Sequence, residues 1–127
     1  MKSFILLLLS SLSLINTAQA AEIKCTGAFI DTIAVEGRRS DNPSLTNSLL
    51  ISFKDAQGNL HTCGGALRRY VYLKAGGNEA VFNSMMSLAF MAKANNYAVH
   101  YMINSGARIF TADELAYIQI VEGSPIF

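Results

Sequence analysis

The stretch "RRYVYLK" carries the residue types best suited to recognising a ligand, namely Arg68, Arg69, Tyr70 and Tyr72. Aromatic rings bind the C–H faces of sugars, and a guanidinium pairs well with a carboxylate such as that of sialic acid. If the stretch is a β-strand, Tyr70 and Tyr72 lie on the same face. The alternative is that the tyrosines pack within the fold and the arginines protect a strand edge. The loop pair Arg38-Arg39 is a weaker candidate, because a lone arginine pair is usually part of the surface.

Catalytic motifs are absent from the sequence. The chain has no GxSxG, no HExxH and no phosphate-binding loop, and its glycine pairs Gly64-Gly65 and Gly76-Gly77 lack the spacing and the basic residue of such a loop. The adjacent carboxylates Asp113-Glu114 are more typical of a solvated loop or a cap than of an acid–base pair. We therefore expect neither an enzyme nor a cofactor.

The first twenty residues, "MKSFILLLLSSLSLINTAQA", have the pattern of a secretory signal peptide. Lys2 precedes an apolar run, and Ala18-Gln19-Ala20 is a small-x-small cleavage signal. The apolar run is shorter than the ~20 residues that span a membrane. We expect residues 1–20 to be removed near Ala20-Ala21, and residues 21–127 to form one secreted or periplasmic domain that does not insert into a membrane.

The charge of the expected mature chain is balanced. Removing Lys2 from the ten basic residues leaves nine, against nine acidic ones. Nucleic acid and anionic membranes both select a basic excess, so neither is expected as a partner. The same balance leaves little electrostatic repulsion between copies of the chain.

Cys25 and Cys63 are the only cysteines, and an even number in an exported chain predicts a disulfide bond. Closing a loop of this length stabilises a fold by about 4 kcal/mol in the chain-entropy treatment. His61 and His100 lie far apart in the sequence, and no CxxC or HxxxH spacing exists. The sequence therefore predicts no metal site.

Alternating apolar residues predict strands on both sides of one helix. A long strand runs from Ile23 to Val35, with Gly27 as a possible bend or bulge. The segments "LLISFK" and "NLHTC" flank a turn that ends at Gly58 and predict a hairpin, and "RRYVYLK" is a short strand or a connection. After the helix, "YAVHYMI" and "LAYIQIV" are strands, and the turn signal between them is Asn104-Ser105-Gly106.

The helix spans about residues 78–95, with Asn78 as N-cap and Asn95-Asn96 at its end. One helix between the third and fourth strands predicts an α+β, mostly β fold, a small OB-like five-stranded barrel with one central helix. At ~100° per residue the apolar positions of "VFNSMMSLAFMAK" cover roughly 200°, about twice what one core requires. Either the helix is buried in its own domain, or it also packs on neighbouring subunits, which we favour.

Four features of the sequence occur together. These are an export signal, a mature start near "CTG", two cysteines before the helix, and the stretch "SMMSLAFMAKANNYAVHYMI", in which the helix runs into a strand. In these four features the sequence resembles the B-subunit family of pertussis-like and subtilase-type bacterial toxins. The closing strand "AYIQIV" is also similar. The resemblance covers most of the expected mature chain but has no single anchoring motif, and a second cysteine pair of the better-known members is missing here. It implies an OB-fold subunit that forms a homopentamer, binds cell-surface glycans and accompanies a catalytic A subunit.

The resemblance also implies roles for the helix residues. A strip of small polar side chains would face a central pore, and the apolar flanks would face neighbouring subunits. The pore-facing residues are then Asn83, Ser84 and Ser87, and the interface residues are Phe82, Met86, Ala89 and Phe90. A function of a different class is also open: a small periplasmic binding or inhibitor protein with a protein partner.

Overall fold

The computed structural model describes residues 22–62 and 69–121 of the chain. Within these ranges the chain forms five strands, one α-helix and one turn of 3-10 helix at Pro43–Leu45. In chain order the elements are β1 (Glu22–Glu36), β2 (Ser48–Lys54), β3 (Val71–Lys74), α1 (Glu79–Asn95), β4 (Ala98–Ile109) and β5 (Ala112–Ile120).

The five strands close into a barrel in the order β1-β2-β3-β5-β4. The long strand β1 pairs antiparallel with β2 through its second half and with β4 through its first half. β3 and β5 are parallel neighbours, and α1 lies between β3 and β4 in the chain. The predicted fold class, a mostly β, OB-like five-stranded barrel with one helix, is confirmed.

Gly27 lies at a bulge in β1, as the sequence predicted. The pairing of β1 with β4 shifts by one residue between Cys25 and Ala28, and Gly27 has a φ of 69° that an L side chain rarely adopts. Its backbone N–H donates to Nδ1 of His100 at 3.2 Å. The bulge bends β1, so that this one strand pairs with both β2 and β4 and closes the barrel.

Two local predictions were wrong. The segment after β2 makes the predicted turn around Asp55, but it returns as a single bridge between Lys54 and Leu60 and not as a strand through residue 62. The turn signal Asn104-Ser105-Gly106 lies inside β4, where the register against β5 shifts by three residues. These residues form a bulge in β4, since pairing with β5 resumes beyond them. The chain reverses direction later, at Phe110-Thr111 between β4 and β5.

The barrel core is made by the inward side chains of the five strands and one face of α1. Tyr101 is 1% exposed at its centre and stacks on Phe53, with ring centroids 3.8 Å apart. The hydroxyl of Tyr101 lies 3.0 Å from Nδ1 of His61. The ring thus contributes apolar contact and its polar end still has a partner, as a buried tyrosine requires.

Several sequence predictions fall on residues 1–21, 63–68 or 122–127, outside the described part of the chain. These are the signal peptide, Arg68 and the disulfide partner Cys63. Cys25 is described and is 3% exposed, in the core cluster. The predicted disulfide bond stays a prediction.

Burial of Tyr101 raises the pKa of its hydroxyl well above the ordinary tyrosine value. A tyrosine in the unfolded chain ionises near pH ~10, so above that pH unfolding releases a proton that the folded state holds. The contribution of Tyr101 to the free energy of unfolding should therefore be fully present below pH ~10. Above that pH it should fall by up to about 1.4 kcal/mol per pH unit. We expect Tyr101→Phe to weaken this alkaline loss, measured by urea unfolding at pH 8 and pH 11. Tyr97→Phe, at an exposed tyrosine, should keep the wild-type loss, and an unchanged profile for Tyr101→Phe would contradict the prediction.

Candidate functional site

A pocket of about 330 Å³ lies on the outer surface of the barrel, and we call it the outer-face pocket. Its walls come from the end of β1, the loop that follows, β2, the residue before β3 and the β4–β5 turn. The lining residues are Ala34, Glu36, Arg39, Leu45, Leu50, Tyr70, Ile109, Phe110, Thr111 and Ala112.

The floor of the outer-face pocket follows from strand alternation. Leu49 and Ile51 point into the core and are 0% and 1% exposed, so Leu50 between them points outward. Leu50 pairs with Ala34 of β1 on one side and with Tyr72 of β3 on the other. These side chains form an apolar outer surface, which the neighbouring loop partly covers.

That loop, residues 37–47, is fastened to the barrel by hydrogen bonds. The hydroxyl of Ser48 donates to the carbonyl of Leu45 at 2.6 Å, and Nζ of Lys74 donates to the carbonyl of Ser44 at 3.1 Å. Leu45 itself is 7% exposed, because the 3-10 turn presses it onto the outer surface. The loop therefore forms a fixed wall of the pocket.

Arg39 crosses this wall and is held by two carboxylates. Its Nη1 donates to both oxygens of Glu36 at 3.2 Å, while its Nε donates to Oδ1 of Asp41 at 2.9 Å and its Nη2 donates to Oδ2 of Asp41. The hydrogen bonds from Arg39 lower the pKa of Asp41 to about 2, and those to Asp41 and Glu36 raise the pKa of the guanidinium. Arg39 and Asp41 are therefore both ionised at neutral pH.

Phe110 forms the opposite rim, in the two-residue turn between β4 and β5. It is 76% exposed and has a φ of 55°, in the left-handed region. Turns of this length place Gly, Asn or Asp at such positions, and a bulky residue there is an outlier. A large aromatic ring is thus presented to solvent in a conformation that costs backbone energy.

The predicted ligand-binding residues divide between three environments. Tyr70 lines the outer-face pocket, and the guanidinium of Arg69 lies over its ring at 5.5 Å from the centroid. Tyr72 is on the same outer side but is only 7% exposed. Its pKa is raised mainly by burial, and to a smaller extent by the nearby carboxylates of Glu114 and Asp113. Tyr72 therefore supports the surface and does not present its ring to a ligand, and Arg68 is outside the described residues.

The sequence reading missed Glu36 and Phe110 and ranked Arg39 below the "RRYVYLK" cluster. The signal for Arg39 was present, since Arg38-Arg39 are followed by Ser40 and then by Asp41. No local signal identified Phe110, because the predicted turn was placed earlier in β4. Asp113, expected in a solvated loop, lies in β5 and is 1% exposed, with an oxygen 2.9 Å from Nε of Arg108.

The second distinctive surface is the outer helix face, formed by Asn83, Ser84, Ser87, Phe90 and Met91 of α1. All five are exposed, Phe90 by 44% and Met91 by 50%, and none carries a charge. The three predicted pore-facing residues are therefore on the surface. α1 begins where predicted, because the side chain of Asn78 accepts from the backbone N–H of Val81, and Asn96 ends it in the left-handed conformation.

The predicted interface residues are not all on that surface. Ala89 is 0% exposed and packs in the core of its own barrel, so it cannot contact a neighbour. Phe82 and Met86 are half-buried against the core, and they also line a groove of about 450 Å³ that includes Val35, which is 64% exposed. Phe90 is the predicted interface residue that lies most openly on the surface.

In residues 22–62 and 69–121, no helix is long and apolar enough to cross a membrane. The same residues contain no cluster of three or more histidine, cysteine or acidic side chains that could hold a metal ion. No protein-family model, curated protein or solved structure was found to match this chain.

Proposed function

We propose that this chain is a secreted, non-enzymatic subunit that binds cell-surface glycans through the outer-face pocket and assembles as a homopentamer. The observation that carries the glycan proposal is the composition of that pocket. Aromatic rings of Tyr70 and Phe110 lie in one depression with the hydrogen-bonded side chains of Glu36 and Arg39.

This combination matches the chemistry of a sugar. A pyranose ring has apolar C–H faces that pack on aromatic rings and hydroxyl edges that need directional hydrogen bonds. A volume of about 330 Å³ is at the small end of ligand sites and suits one or two rings. OB-fold barrels bind oligosaccharides on the face of their second and third strands, between the first and fourth connecting loops, and this pocket has the same position.

The outer helix face supports the assembly part of the proposal. A helix packed on one barrel normally exposes charged residues on its far side, whereas α1 carries only Glu79 and Lys93, near its two ends. Exposed Phe90, Met91 and Val81 leave apolar area for a second copy to cover. The number five, and a catalytic A subunit as companion, come from the resemblance to toxin B subunits.

The glycan proposal is tested by a glycan array with the purified chain lacking residues 1–20. We expect binding to a defined set of glycans and at least a tenfold loss of affinity for Tyr70→Ala, because the substitution removes one aromatic wall. Tyr97→Ala is the matched control, since Tyr97 is 46% exposed and is not among the residues that line the pocket. It should bind like the wild type.

An array without signal would reject glycan binding. Capture of one defined protein in a pull-down that Tyr70→Ala does not affect would then favour the alternative function, a periplasmic binding or inhibitor protein.

A further inference from the structure

The guanidinium of Arg39 already gives its Nε/Nη2 edge to one carboxylate and its Nη1 to another. Its Nε and Nη2 both donate to Asp41, and its Nη1 serves Glu36. An arginine recognises a carboxylate best with two parallel N–H bonds from one edge. Among the described residues that line the outer-face pocket, Arg39 is the only cation, and it is paired with two carboxylates.

An uncharged sugar meets no such obstacle. Each carboxylate oxygen has acceptor capacity beyond the bond it makes with Arg39, and sugar hydroxyls can donate to it. A sugar carboxylate would instead lie beside Glu36, where like charges repel. Arg69 does not offset this, because it lies over Tyr70 outside the lining of the pocket.

The backbone of Phe110 provides a second, independent observation. A φ of 55° at a bulky residue costs energy that a glycine or asparagine would avoid. The ring recovers little of this cost by packing, because Phe110 is 76% exposed. A strained, exposed aromatic residue at the rim of a cavity is explained if the ring serves a ligand.

Resting on the proposed glycan function, we infer that the outer-face pocket holds an uncharged sugar ring stacked on Phe110, and that it discriminates against carboxylated sugars such as sialic acid. Glu36 accepts hydrogen bonds from the hydroxyls, and Arg39, which also pairs with Asp41, holds the Glu36 carboxylate in place. Phe110 is a binding residue whose conformation is kept at the expense of stability.

The charge preference is tested with glycan pairs that differ only in a terminal sialic acid, such as lactose and sialyl-lactose. The wild-type chain should bind the uncharged member at least tenfold more tightly. Preference for the sialylated member would overturn this inference and leave glycan binding standing. Absence of binding to both members and to the rest of the array would overturn both proposals.

The role of Phe110 is tested with two variants on the same uncharged glycan. Phe110→Gly should weaken binding at least tenfold and yet raise the Tm by about 2–4 °C, because it relieves the left-handed strain. Phe110→Leu should weaken binding without raising the Tm, because leucine removes the ring and keeps the strain. Retained affinity in Phe110→Gly, or a Tm below that of the wild type, would overturn the role assigned to this residue, and Tyr97→Ala again serves as the unaffected control.

Discussion

Replacing Tyr101 by alanine should lower the free energy of unfolding by about 4 kcal/mol, in the range found when large aromatic residues are removed from cores. The ring is 1% exposed and stacks on Phe53 with an interplanar angle of 7°. The substitution leaves a cavity beside Phe53 in the barrel core and removes the partner of His61. Because small domains are stable by only ~5–15 kcal/mol, urea unfolding should show a much earlier midpoint or no folded baseline.

The matched substitution is Tyr97→Ala, at a tyrosine that is 46% exposed after the end of α1. It should change the free energy of unfolding by less than about 1 kcal/mol, because little apolar area is lost from a packed environment. Equal losses in the two variants would show that Tyr101 is not the centre of the core.

Phe90→Glu should convert the proposed assembly into monomers while the subunit stays folded. Phe90 is 44% exposed on the outer helix face, so glutamate there is solvated in the free subunit. In a contact between copies the same glutamate would be buried without a partner, at a cost of several kcal/mol. Light scattering coupled to size exclusion should show the mass fall from about five subunits to one, with circular dichroism unchanged.

Two controls separate assembly from folding. Phe110→Glu makes the same exchange at an exposed residue on the β4–β5 turn, and it should keep the assembled mass. Met85→Glu introduces the charge on the barrel side of α1, where Met85 packs against the core, and it should unfold the subunit. Met86 is less suitable for this test, because it is half-buried and its substitution affects both processes. A wild-type chain that is monomeric at micromolar concentration would reject the assembly.

The order of elements and the fold class could be predicted because their signals are local. Alternation identified β1 and the start of β4, and the side chain of Asn78 caps α1 as its residue type predicted. Gly27 is a positive-φ position in an otherwise regular strand pattern, and it forms the expected bulge. Each of these depends on residues within a few positions of one another.

The wrong predictions concern places where pairing overrode a local preference. Asn104-Ser105-Gly106 has turn composition, but β5 continues to pair with β4 beyond it, and the three-residue shift absorbs the irregularity. Ala89 was predicted to contact a neighbouring subunit, yet its small side chain lets α1 approach the barrel and it is fully buried. The angle of a residue around a helix does not show how closely that part of the helix approaches its own barrel.

What the sequence by itself determined is the barrel class, the single helix and the uncharged character of that helix, since periodicity and composition are properties of short segments. Only the tertiary structure decided the candidate site. Tyr70 enters the pocket and Tyr72 is covered because residues 37–47 fold over β2 and β3, and Phe110 reaches the same rim because β4 runs on to Ile109. The lining residues lie up to 78 positions apart, between Ala34 and Ala112, so their proximity depends on strand register and barrel closure.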